Sequence, residues 1–186
     1  MRSRTPLLLL LLLVAFGIAA CGGGNNQPDS VTWRNVTLQL PDGWYLFEQE
    51  DTRLSISNQD IGLPSGDEEQ RERPEGDVVA MFFTYEPNTV PDDWRRFVEQ
   101  QDAKLESDEQ IVLDGEIPAT RLVFSHVTND IPTREMVVVV PSRGIVLLAQ
   151  PVPEPMDTDA PQIFLDYIET FLEVVETAEF GSPVTD

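Results

Sequence analysis

Apolar and polar positions change their rhythm several times along the chain. Leu7 to Phe16 is unbroken hydrocarbon and runs into Gly17-Ile18-Ala19-Ala20-Cys21. From Val31 the pattern alternates. Val36, Leu38 and Leu40 are separated by Thr37 and Gln39, the period of a half-buried strand, so residues 31–40 predict a strand. Pro41-Asp42-Gly43 predicts a turn, because proline fixes φ and glycine accepts positive φ. Trp44–Phe47 and Leu54–Ser57 predict further strands. Residues 60–77 are dense in Gly, Pro and charge and predict a long surface loop. Val78–Tyr85 predicts a buried strand ended by Pro87.

Trp94, Phe97, Val98 and Leu105 fall near one helical face. Pro91 suits a first turn, and Asp92 and Asp93 complement the positive end of a helix dipole, so the spacing predicts a helix over Thr89–Leu105. The strand-like runs Gln110–Leu113, Ala119–Val127, Glu135–Val140 and Ile145–Gln150 follow. Asp114-Gly115, Asn129–Pro132 and Ser142-Arg143-Gly144 punctuate them, which predicts an antiparallel meander. Finally Ala160, Ile163, Phe164, Tyr167, Ile168, Phe171, Leu172 and Val175 recur at i, i+3, i+4, i+7, i+8. That wide apolar stripe predicts a helix lying on a sheet, with Asp159 as N-cap and Pro161 in the first turn.

The amino terminus has the layout of an export signal. Arg2 and Arg4 precede the apolar run, and small residues precede Cys21. Leu7 to Ala20 is too short for a bilayer span, which needs about 20 residues. Ile18-Ala19-Ala20-Cys21 resembles the bacterial lipobox, an aliphatic residue and two small ones before the cysteine to be lipidated. The resemblance implies cleavage before Cys21, a diacylglycerol thioether on its sulfur and acylation of the new amino group. The alternative is an ordinary secretory signal with a chance cysteine. Against it, Cys21 is the chain's single cysteine and has no disulfide partner within the protein. Two acyl chains give stable anchoring where one does not. Residues 22–30, GGGNNQPDS, then form a flexible tether with a reach of about 15–18 Å.

The expected organisation is a signal peptide at 1–20, lipidated Cys21 and tether at 21–30, one domain at 31–178 and a tail at 179–186. Cleavage removes two arginines and no acid, leaving 10 basic against 33 acidic side chains and a net charge of −23. Such a charge argues against nucleic acid as a partner, since phosphates are bound by basic side chains. It also argues against docking of the domain on anionic headgroups. A solvated acidic surface is the plainest reading of it.

Candidate chemistry is sparse. His126 is the only histidine. Ser125 adjoins it in a predicted strand, where neighbours point to opposite faces, and Ser142 lies in no Gly-x-Ser-x-Gly turn. His126 is therefore expected as an exposed strand residue. One histidine and one lipidated cysteine exclude the usual zinc sets. Calcium wants oxygen ligands, but Asp67-Glu68-Glu69, Asp92-Asp93 and Asp157-Thr158-Asp159 do not match its loop pattern. No catalytic, cofactor or metal residues are expected, and the chain is not expected to be an enzyme. Trp33, Trp44, Phe82, Phe83, Trp94, Phe124 and Phe164 form the core or line a ligand pocket under a helix.

The order of elements resembles the PsbP-like or Mog1-like group, an α+β fold with an α/β/α sandwich around a central antiparallel sheet. The matching pieces are Leu40-Pro41-Asp42-Gly43-Trp44, the helix 91–105, the segment Gly115–Val127, the segment Arg134–Gln150 and the helix 161–175. The resemblance implies a non-enzymatic scaffold or interaction module acting through a protein partner of the cell envelope. The extracytoplasmic face of a membrane is the expected location. A small-molecule or lipid carrier is the alternative function.

Overall fold

The computed structural model describes residues 28–61, 75–128, 130–152 and 159–182. Cys21, the tether up to Gln27, most of the acidic loop, Asp157 and the last four residues lie outside the described residues. The described part is mixed, with antiparallel strands in two sheets and two α-helices.

The first difference from the expected pattern comes at once. Residues 31–40 form a hairpin rather than one strand: β1 (Ser30–Trp33) pairs antiparallel with β2 (Val36–Gln39) across a two-residue turn at Arg34-Asn35. Arg34 has φ 54, a left-handed value. The apolar phase betrays the turn. Val31 and Trp33 are buried on odd positions, whereas Val36 and Leu38 are buried on even ones.

The main sheet has seven strands. β3 (Tyr45–Gln49), β4 (Arg53–Ser57) and β5 (Val79–Tyr85) come before the first helix. β6 (Lys104–Leu113), β7 (Ile117–Thr128), β8 (Ile131–Val140) and β9 (Ile145–Pro151) follow as the expected meander, in register Leu122↔Val137 and Val138↔Leu147. β9 closes onto β5, giving the order β3-β4-β5-β9-β8-β7-β6, antiparallel throughout.

Alternation along the central strands divides the core between two faces. Met136, Val138, Val140, Ile145, Leu147 and Ala149 face α2 (Ala160–Glu176), whose Ile163, Phe164, Phe171, Val174 and Val175 are buried on them. Val137, Val139 and Val146 face the other way, with Phe124, toward Val98 and Trp94 of α1 (Pro91–Gln100). The sheet thus carries a helix on each face, and its middle strands are buried on both sides.

The first helix ends earlier than Leu105. Gln101 caps it, Asp102 turns left-handed at φ 53, and the N–H groups of Asp102 and Ala103 return to the carbonyls of Glu99 (3.3 Å) and Val98 (3.1 Å). This is a Schellman end with aspartate in the usual glycine place. Lys104 and Leu105 therefore begin a strand. The expected tail also differs. β10 (Glu179–Phe180) pairs with β2 and extends the small sheet to order β1-β2-β10, and Phe180 packs on the core.

Candidate functional site

His126 is not the exposed residue expected. Its side chain is 16% exposed, and its Nε2 lies 2.8 Å from Oε1 of the equally sheltered Glu135. It shares the α1 face of β7 and β8 with Phe124, whose ring sits 5.7 Å away. A histidine–carboxylate pair becomes a catalytic dyad only with a nucleophile beside it. Ser125 points to the opposite face. Ser142 follows the far end of β8, about 25 Å away at 3.3 Å per residue. The structure does not bring these residues together.

The acidic clusters also disperse. Asp92 and Asp93 sit in the first turn of α1, where Asp93 accepts the main-chain N–H of Val90 (3.2 Å) and Asp92 accepts from Arg95 (2.6 Å). Asp159 occupies the N-cap of α2, and its carbonyl accepts from Gln162 (2.8 Å) and Ile163 (2.9 Å). No group of three or more metal-ligating side chains occurs among the described residues. Asp67-Glu68-Glu69, Asp157 and Thr158 lie outside them.

The aromatic residues do not converge on one pocket. Trp33, Trp44, Phe83 and Phe164 belong to the α2 side, while Trp94 and Phe124 belong to the α1 side. Phe82 stacks edge-on with Phe47 at 6.2 Å. Beneath α2, between Trp33, Leu38, Phe83 and Val175, the remaining cavity is about 20 Å3. Such a space takes at most one water. The interior between sheet and helix is filled by side chains.

An open aromatic cleft lies outside, at the start of α1. Trp94 and Phe97 meet edge to face at 5.4 Å. With Glu86, Thr89 and Asp93 they line an open cleft of about 470 Å3. Phe97 is 41% exposed and the neighbouring Val90 44%. The helix rotates this way because Val98 is its one buried residue and Trp94 is half-buried, which fixes the i+3 residue Phe97 at the rim. Carboxylates frame the aromatic pair, and the guanidinium of Arg96 is held back by Asp93. The cleft can take a cationic group against aromatic edges and faces. The sequence pattern places Trp94 and Phe97 near one helical face, with Trp94 in core or pocket; one turn of α1 carries Phe97 to the surface.

No family model matches the chain, and no curated protein does. Among solved structures it is similar to a Pseudomonas aeruginosa protein of unknown function. The identity is 13% and the TM-score 0.49, over 83% of this chain and 97% of that one. Likeness at that level carries nothing about the site.

Proposed function

We propose that this chain is a lipid-anchored, extracytoplasmic interaction module, non-enzymatic and of the PsbP-like/Mog1-like kind, that docks a protein partner at the α1 cleft. The observation that carries the reading is the contrast between a filled interior and an open Trp94–Phe97 cleft framed by Glu86 and Asp93. A carrier needs an enclosed volume of some 300 Å3 or more, whereas a docking module needs exposed aromatic anchors. The helix on each face of an antiparallel sheet supports the fold resemblance. The anchor rests on Ile18-Ala19-Ala20-Cys21 and on the single cysteine. The acidic surface keeps the tethered body off anionic headgroups and selects a partner with a basic segment.

Two experiments test the two halves. In cells fed an alkynyl fatty acid, the wild-type protein takes up label and pellets with membranes, and Cys21→Ser takes up none. Label retained by Cys21→Ser would overturn the anchor. For docking, a photo-cross-linking residue at Phe97 gives one reproducible adduct in intact cells, while the same residue at Val112, 63% exposed on β6, gives none. Adducts equal at both positions, or absent at 97, would overturn the cleft as the docking site.

A further inference from the structure

The described arginines fall into two groups. Arg53, Arg95, Arg96, Arg121 and Arg134 each pair with a carboxylate. Arg34 and Arg143 have no carboxylate partner among the described residues, and both line one polar cleft of about 160 Å3. In a chain with 33 acidic and 12 basic side chains, unneutralised arginines meeting in one place call for an explanation.

Each is held there at a cost. Arg34 occupies the first turn position of the β1–β2 hairpin with φ 54, a position where glycine is least strained. Its guanidinium lies over the Tyr85 ring, 3.5 Å from the centroid, and its Nη1 donates to the main-chain carbonyl of Asp51 at 2.9 Å. The head group is fixed but keeps free donors. Arg143 ends the 3-10 turn Pro141–Arg143 between β8 and β9. Its Nε and Nη1 are buried without an acceptor, as is Nε of the paired Arg134, so Nη2 is the Arg143 donor left open to the cleft. A guanidinium cannot shed its proton, and a buried donor left without an acceptor is destabilising.

The wall beside Arg143 is rigid. Gly144 is left-handed at φ 60, and a Cβ there would stand 2.7 Å from the Cα of Pro87. Its carbonyl accepts the N–H of Glu86 at 2.7 Å, which locks the turn onto the end of β5. The Glu86 carboxylate is itself engaged by the Thr84 hydroxyl at 3.0 Å. The Ser142 hydroxyl adds a donor at the rim.

We propose that this cleft binds a small oxyanion, a carboxylate or phosphoryl group, between Arg34 and Arg143. Two planar guanidinium donors match the oxygens of such a group. The volume admits an ion-sized group and not a nucleotide. The site is separate from the α1 cleft, and its failure would leave the docking function untouched.

The test is a titration of the full chain at low ionic strength with inorganic phosphate and, separately, with acetate. The readout is the NMR signals of Asn35, Ser142, Gly144 and the two arginine Nε–H groups. Saturable shifts confined to these positions support the site, and the anion that saturates at lower concentration assigns phosphoryl or carboxylate. Arg143→Gln weakens binding at least about tenfold, the loss of one charge-assisted contact. Arg96→Gln, on the exposed side of α1, leaves it unchanged. A purely structural Arg143 would make Arg143→Met less stable. A ligand-binding one makes that variant as stable as wild type, or more so, in anion-free buffer, because the orphaned donors are gone. No saturation with either anion, or wild-type binding by Arg143→Gln, would overturn the proposal.

Discussion

Residues with the same φ preference can have different tolerance, and two glycines here show why. Gly43 (φ 79) has nothing within 4 Å of where a Cβ would stand, whereas Gly144 (φ 60) would place one 2.7 Å from the Pro87 backbone. Gly43→Ala therefore costs only the left-handed strain, about 1 kcal/mol. Gly144→Ala adds a backbone collision and costs about 3 kcal/mol. Urea unfolding of the two variants measures the difference, and equal losses would mean that Pro87 yields freely. The Arg95–Asp108 pair gives a second residue-scale prediction. Hydrogen bonding from Arg95 holds the Asp108 carboxyl below its usual 3.8, and Asp108 with Asp92 raises Arg95. A depressed carboxyl stabilises the fold above its unfolded value, and that contribution fades as pH falls through the folded one. The pair is largely solvated, so Arg95→Leu costs only about 0.5 kcal/mol at pH 7. The deficit shrinks at a lower pH, below the depressed titration of Asp108, where the wild-type carboxyl also takes up its proton. Unfolding midpoints at the two pH values check the sign, and an undiminished deficit at the lower pH would contradict it.

At the scale of elements, the end of α1 depends on Asp102 standing where glycine is usual. Asp102→Gly relieves the left-handed penalty and is expected to stabilise the fold by about 0.5 kcal/mol, after the greater freedom glycine gives the unfolded chain. A loss of stability on urea unfolding would show that the aspartate side chain contributes more than its backbone strain costs. The same residue explains why the helix stops short of Leu105. Leu105 keeps helical phase with Trp94, and no glycine or proline marks the break between them. α2 was legible because its stripe is wide and its start carries Asp159 and Pro161. The meander was legible because Asp114-Gly115 and Ser142-Arg143-Gly144 are strong turn signals. The β1–β2 hairpin was hidden by an arginine in a glycine-like turn position, though the slip from Val31 and Trp33 to Val36 and Leu38 records it. β10 is two residues long and owes its place to pairing with β2, which no local pattern announces. Of the candidate surfaces, the sequence offered Trp94 for core or ligand pocket and Phe97 only as one position on a helical face. It did not connect Arg34 with Arg143, because the fold alone joins positions 109 residues apart.

For the whole molecule, the dominant electrostatic fact is the excess of acid, a net charge of −21 over the full chain. Two effects of salt oppose each other. Screening weakens solvated ion pairs such as Arg96–Asp93 and Arg95–Asp92 (2.6 Å), each worth about 0.2–1 kcal/mol. Screening also weakens repulsion among the surplus carboxylates. At about 15 Å in water one like-charged couple costs about 0.3 kcal/mol, and unpaired acids form far more couples than there are ion pairs. Repulsion should win. Raising NaCl from about 0.01 to 0.15 M shortens the Debye length from about 30 to 8 Å. The urea midpoint is expected to rise over that range; a fall would mean that the local pairs govern stability. Docking should respond with the opposite sign. A basic partner approaching the cleft between Glu86 and Asp93 is steered by the same negative field. Cross-linking through position 97 should weaken over the salt range that strengthens the fold. Parallel changes in the two quantities would show that the partner is not selected by charge.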